Sequence, residues 1–221
     1  MFKTDRAVHP YHHEPESDSV IKYDADIDHW FVAVVSNPCR YKTRYALFRK
    51  FRDHIRQDLK ANLLVVECAL GDRSYQVTGE RHQEQNYMEV QVRNKTQLWQ
   101  KENLMNIGMQ RLPTTARYIT FVDADVHFTN PHIVTEIVHA LQIHKVVQPF
   151  ETCCDLGPQG QVLKVHRSFG WCHAQGFEYR APWKSVRGYE EGHANKGPQM
   201  FGVCFSFAAG RSCRTSCRAS R

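Results

Sequence analysis

The sequence predicts an α/β fold with a mostly parallel sheet flanked by helices. Three observations predict it. Short β-branched and aromatic runs, Trp30 to Val35, Asn62 to Cys68 and Tyr118 to Val122, read as buried strands. Segments of helical periodicity alternate with them, so parallel strand–helix–strand units are the natural connection. The third run leads straight into Asp123-Ala124-Asp125, and ligands of such sheets bind at the carboxyl ends of the strands.

Residues 1–29 are polar, with histidines scattered among acids, and read as a lead-in. This segment contains Asp24, Asp26 and Asp28, spaced like the opening of a calcium-binding loop. The sixth position is His29 where glycine is needed, and the twelfth is Val35 where glutamate is needed, which excludes that loop. Trp30 to Val35 is the first strand, ended by the turn residues Ser36-Asn37-Pro38. Tyr41 to Leu59 is expected to be one helix, with Tyr45, Phe48, Phe51, Ile55 and Leu59 three or four apart. Asn62 to Cys68 is the second strand. Tyr87 to Val92 alternates and suits an edge strand.

A helix is expected from Gln97 to Leu112, stopped by Pro113. The Asp-x-Asp strand follows it. Pro131 to Ile143 is amphipathic, Lys145 to Phe150 reads as a short strand, and Glu151 to Pro158 as a loop. The aromatic, glycine-rich stretch to about Gly192 carries no clear pattern. Domain boundaries are placed at 30 and 209, with residues 210–221 as a disordered Arg/Ser/Cys tail without an apolar face.

Composition bounds the function. The chain has 221 residues and is 42% hydrophobic, enough for one packed domain. Four tail arginines account for four of the six net positive charges, so the basic balance is no argument for nucleic-acid binding. The longest apolar runs are too short for a membrane span, and no signal-type stretch opens the chain. The expectation is a cytoplasmic protein with reduced thiols. Eight cysteines include no C-x₂-C pair, which disfavours structural zinc.

Asp123 and Asp125 offer hard oxygen ligands that suit Mg²⁺ or Mn²⁺ carrying a phosphate-bearing substrate. Taken alone, such a pair is as well explained as turn or N-cap residues before the next helix. His127 is either a third ligand or a strand-face histidine.

The run from Leu98 to Gly108, with Lys101-Glu102 and Asn106-Ile107-Gly108, then Leu112-Pro113 and Tyr118 to Asp125, resembles the donor-binding half of GT-A fold glycosyltransferases. It is most similar to family-2-like enzymes of bacteria and large viruses. Val147 to Glu151 and Asp155 to Pro158 also look like that group, and the resemblance covers about residues 30–190. It implies a nucleotide-diphosphate sugar donor (UDP- or GDP-linked), a carbohydrate acceptor and a divalent metal. Carried over by position, Asp125 would be the direct metal ligand, and Asp123 would contact the ribose or share the metal. Ser36 and Asn37 would border the nucleoside, and Glu67 would touch base or ribose. Lys101 and Asn106 would face the donor or the Asp-x-Asp loop. Each has a plainer reading: a solvated helix lysine, a polar partner for a mid-helix asparagine, an acid capping a helix or pairing with an arginine, a simple turn.

An inverting transferase also needs a carboxylate to take the acceptor proton. The resemblance places that residue toward the C-terminus, where this sequence departs from the pattern. Glu190 and Glu191 are the candidates there, with a solvated surface pair as the plainer reading. Two alternatives stand beside the transferase. One is a sugar-nucleotidyltransferase, whose glycine-rich loop is missing after the first strand. The other is a truncated or degenerate transferase that binds a nucleotide sugar without turnover.

Overall fold

The computed structural model describes residues 29–79, 86–98, 100–168, 170–171 and 204–208. The expectations for the lead-in before His29, for Glu190 and Glu191, and for the arginine-rich tail lie outside them.

Six strands form the main sheet: β1 (His29–Ser36), β2 (Asn62–Leu70), β3 (Tyr87–Asn94), β4 (Tyr118–Asp123), β5 (Val146–Val147) and β8 (Cys204–Ala208). Their order is β3-β2-β1-β4-β8-β5. The first four named are parallel, and β8 runs antiparallel to both β4 and β5. A separate antiparallel hairpin joins β6 (Thr152–Leu156) to β7 (Val162–Arg167).

Helices cover both faces because every residue of a central strand has an apolar side to satisfy. Phe31, Ala33 and Val35 of β1 pack on Phe48, Phe51 and Ile55, and on Ile133, Val134, Ile137 and Leu141 of α3 (Ile133–Ile143). Phe48 and Phe51 belong to α1 (Lys42–Asp53). The alternate residues Trp30 and Val32 face Leu104 of α2 (Lys101–Arg111), together with Leu64, Val66, Leu112 and Ile119. Burying each such side chain is worth about 1.5–3 kcal/mol. Gly108 lets α2 sit close: a Cβ there would lie 2.9 Å from both Val32 Cγ1 and Val66 Cγ2.

A buried polar chain crosses the sheet. His29 Nε2 and Thr120 Oγ1 are 2.7 Å apart, and Thr120 Oγ1 and Ser206 Oγ are also 2.7 Å apart, tying β1, β4 and β8 together. Burial lowers the His29 pKa to about 3, so the ring is neutral.

The structure corrects four expectations. The helix after β1 is α-helical only to Asp53, then widens to a π-helix over His54–Asp58, closed by Leu59 N–H donating to His54 O at 3.0 Å. The helix after β3 begins at Lys101, four residues later than the sequence suggests, because Leu98 is exposed and has no apolar face to join. β5 has two residues instead of six; Pro149 has no N–H to continue the ladder. Most of the stretch read as a loop at Glu151 to Pro158 is strand β6, paired with β7.

Candidate functional site

Strand order 3-2-1-4 places a topological switch point between β1 and β4, where the helical connections leave in opposite directions and a crevice opens at the carboxyl edge. Asp123 is the last residue of β4, paired in register with Val34 of β1. Ser36 ends β1 opposite Cys68, and Glu67 pairs with Val35. The fold therefore places Ser36, Asn37, Glu67 and Asp123 on one edge. Parallel strands feed α1 and α2 back from that edge, so Lys101 stands in the first turn of α2 beside it.

Asp123 is half-buried, and its Oδ1 accepts a hydrogen bond from Lys101 Nζ. The chain then turns, with Val126 N–H donating to Asp123 O at 3.3 Å. Asp125 keeps part of its surface in solvent but lies in crowded surroundings. Desolvation first, then the Asp123 charge, push its carboxyl above the usual range, against the pull of Arg44 and Lys101. A divalent ion at this edge would be held by Asp123 and Asp125, whose charges act on each other. Two hard oxygen donors fit Mg²⁺ or Mn²⁺, which keep water or phosphate oxygens in their other positions. Among the described residues, no group of three His, Cys, Asp or Glu side chains is arranged around one point as a metal cage.

His127 lies beyond β4, in the segment before α3, so it is not a strand-face residue. Its ring lies against that of His54, with centroids 3.8 Å apart and planes tilted by 34°. Burial and the neighbouring His54 lower its pKa, while Asp58 raises it. His54 in turn has both nitrogens engaged. Nδ1 pairs with Asp58 Oδ2 at 2.8 Å, and Nε2 accepts the Phe128 N–H at 3.1 Å. That pattern requires Nδ1 to carry the proton. The π-helical widening thus delivers a histidine that pins the loop after the Asp-x-Asp pair. The sequence held one sign of it, the four-residue spacing of His54 and Asp58.

Glu67 is buried and saturated. Its Oε1 accepts Gln76 N–H at 2.6 Å. Its Oε2 accepts Val77 N–H at 3.1 Å, Thr78 N–H at 2.9 Å and the Thr78 hydroxyl at 2.6 Å. It anchors the loop after β2, a role nearer to the plainer reading of a cap. Asn37 is likewise committed to the β1–α1 turn: its Nδ2 donates to Tyr41 O at 2.9 Å and its Oδ1 accepts Tyr41 N–H at 3.1 Å. Ser36 is exposed beside the turn. Asn106 is exposed on α2, with no side-chain hydrogen bond among the described residues.

A shallow concavity at the β1–β2 part of this edge, with about 20 Å³ of room inside, is lined by Asn37, Arg40, Tyr45, Glu67 and Arg73 among others; Asp123, Asp125 and Lys101 do not line it. Arg40 has φ 56, a conformation the tight turn imposes. Arg44 and Arg40 were not singled out from the sequence; their sign would have been basic residues directly after β1.

The β6–β7 hairpin starts from the same edge, since β5 runs parallel to β4. It carries Asp155, whose Oδ2 lies 2.9 Å from Nε2 of buried His166. Cys153, in register with His166, has its thiol pushed up by burial first, then by Asp155, Cys154, Asp123 and Asp125. The sequence did not reveal this pairing because no hairpin was read there.

No protein-family model matches the chain, and no curated protein matches it. Solved structures do. A protein of Desulfovibrio desulfuricans, described as a candidate nucleotide-diphospho-sugar transferase, matches at TM-score 0.37 and 16% identity over 53% of this chain. The Mycobacterium tuberculosis protein Rv0371c matches at 0.35 and 10% over 55%. The match spans 56% and 64% of the length of those two proteins. A 4-diphosphocytidyl-2C-methyl-D-erythritol synthase of Anaerococcus prevotii matches at 0.39 and 9%, over 84% of this chain and 72% of that one. Likeness at this level assigns no activity.

Proposed function

We propose that this chain is a divalent-metal-dependent transferase that takes a sugar from a nucleotide-diphosphate donor, UDP- or GDP-linked, to a carbohydrate hydroxyl. The observation that carries this reading is Asp123 at the carboxyl end of β4, beside β1 at the switch point, with Asp125 two residues on and Lys101 and Arg44 as neighbouring cations.

Glycosyl transfer breaks the anomeric C–O bond and leaves negative charge on the diphosphate. A metal held by Asp123 and Asp125 would supply Lewis-acid stabilisation of that charge. The chain's own groups do the rest. The β1–α1 turn, fixed by Asn37, shapes the wall against which a nucleoside lies. Arg40 and Arg44 add positive potential where the phosphates arrive. Glu67 holds the loop after β2 in place from beneath. The proton of the acceptor hydroxyl goes to a carboxylate, for which Glu190 and Glu191 are the candidates.

Titration with UDP- and GDP-sugars in the presence of Mn²⁺, followed by a donor-hydrolysis assay, tests the reading. Metal-dependent binding with hydrolysis supports the transferase. Binding without hydrolysis supports a chain that holds the donor without turning it over. An absence of metal-dependent binding removes both.

A further inference from the structure

Within the metal–diphosphate reading above, the Lys101–Asp123 contact has a consequence of its own. Lys101 Nζ is bonded to Oδ1 of a carboxylate that the reading assigns to the metal. Both partners are part-buried, 25% and 29% exposed at the side chain, so water screens the pair less than on an open surface. Lys101 also draws on Asp125, and Arg44 does the same from α1. Two carboxylates thus face two cations. A dication entering this group meets like charge, and it must compete for an oxygen that is already bonded. A diphosphate arriving with it would restore the balance, because its anionic oxygens accept an ammonium as readily as a carboxylate does. Lysine suits such an exchange: it is a point charge on a flexible four-carbon stem, able to swing between acceptors without a fixed fork geometry.

We infer that Lys101 is a resident counter-cation at Asp123, that a divalent ion must displace it, and that the donor's diphosphate receives the displaced ammonium. Metal and donor then bind as a coupled pair. Each raises the affinity of the other by the same factor, as linkage requires. The ion alone binds weakly.

Mn²⁺ binding to the full chain, measured by calorimetry or by the spin-resonance signal of free Mn²⁺, tests this with Mn²⁺ alone and with UDP added. Lys101→Met removes the competitor, so Mn²⁺ alone binds roughly three- to tenfold more tightly than to wild type, the range of a part-buried ion pair. UDP then raises Mn²⁺ affinity by a smaller factor in the variant than in wild type. Lys101→Arg keeps the charge and stays close to wild type. Lys101→Gln is the second neutral variant if Lys101→Met fails to fold. Mn²⁺ binding alone that is no tighter in the neutral variants than in wild type overturns the inference while leaving the metal site standing. No Mn²⁺ binding by wild type or variants, with or without UDP, overturns the metal reading and this inference with it.

Discussion

His54 Nε2 accepts the backbone N–H of Phe128 at 3.1 Å, so a side chain from the helical segment after β1 fixes the loop that follows the Asp-x-Asp pair. The bond is buried, and its loss would leave an amide without a partner at a cost of about 1–3 kcal/mol. His54→Ala is expected to loosen the loop bearing Asp125 without touching a ligand directly. The measurement is Mn²⁺ affinity beside thermal stability. Metal binding should fall several-fold; unchanged affinity in a folded variant would disconnect His54 from the site.

Gly108 sets the distance between α2 and the sheet. Alanine there brings Cβ to 2.9 Å from Val32 Cγ1 and Val66 Cγ2 and 3.1 Å from Leu64 Cδ2, all branched core side chains with no room to retreat. Alanine's better helix propensity, about 1 kcal/mol, opposes an overpacking cost of about 1–3 kcal/mol. Net destabilisation is expected, visible as a melting temperature lowered by a few degrees. A melting temperature that rises would show that α2 can back away freely.

Glu67 holds three backbone amides and a hydroxyl. Glu67→Ala is expected to release the loop over Gln76 to Thr78, costing several kcal/mol because more than one buried donor is stranded. Limited proteolysis should cut the variant near that loop and leave wild type intact. Equal resistance would mean that the loop is held by other contacts.

His29 gives the fold an acid limit. Its folded pKa, about 3, lies below the ordinary value of 6.5, because burial disfavours the charged ring. The unfolded chain therefore binds a proton that the folded chain refuses between those values. Stability from this group is full above pH 6.5 and falls as the pH drops from there toward 3. Denaturant melts across that range should show the decline, and His29→Gln should flatten it. An identical slope in the variant would place the pH dependence elsewhere.

How far the sequence was legible follows from the range of each interaction. The four parallel strands and three helices were readable because buried β-branched runs and three-to-four spacing are local signals; Trp30 to Val35 and Pro131 to Ile143 needed nothing from distant residues. Asp123 and Asp125 were readable as strand-end residues because the apolar run that makes β4 leads directly into them. The π-helical turn at His54 was not, and the contact that makes His54 matter, its bond to Phe128, lies seventy-four positions away. Glu67 was singled out for the edge it occupies, but its four donors come from a loop with no pattern of its own. The pairing of β6 with β7 was hidden because strands with mostly exposed residues carry little hydrophobic alternation.

The most direct measurement is UDP-sugar and GDP-sugar binding with and without Mn²⁺, on wild type and Asp125→Ala. The expected result is binding by wild type that strengthens at least tenfold with Mn²⁺, and loss of that gain in the variant. Donor binding to Asp125→Ala with the same Mn²⁺ dependence as wild type would contradict the assignment of the Asp123–Asp125 edge as the metal–diphosphate site.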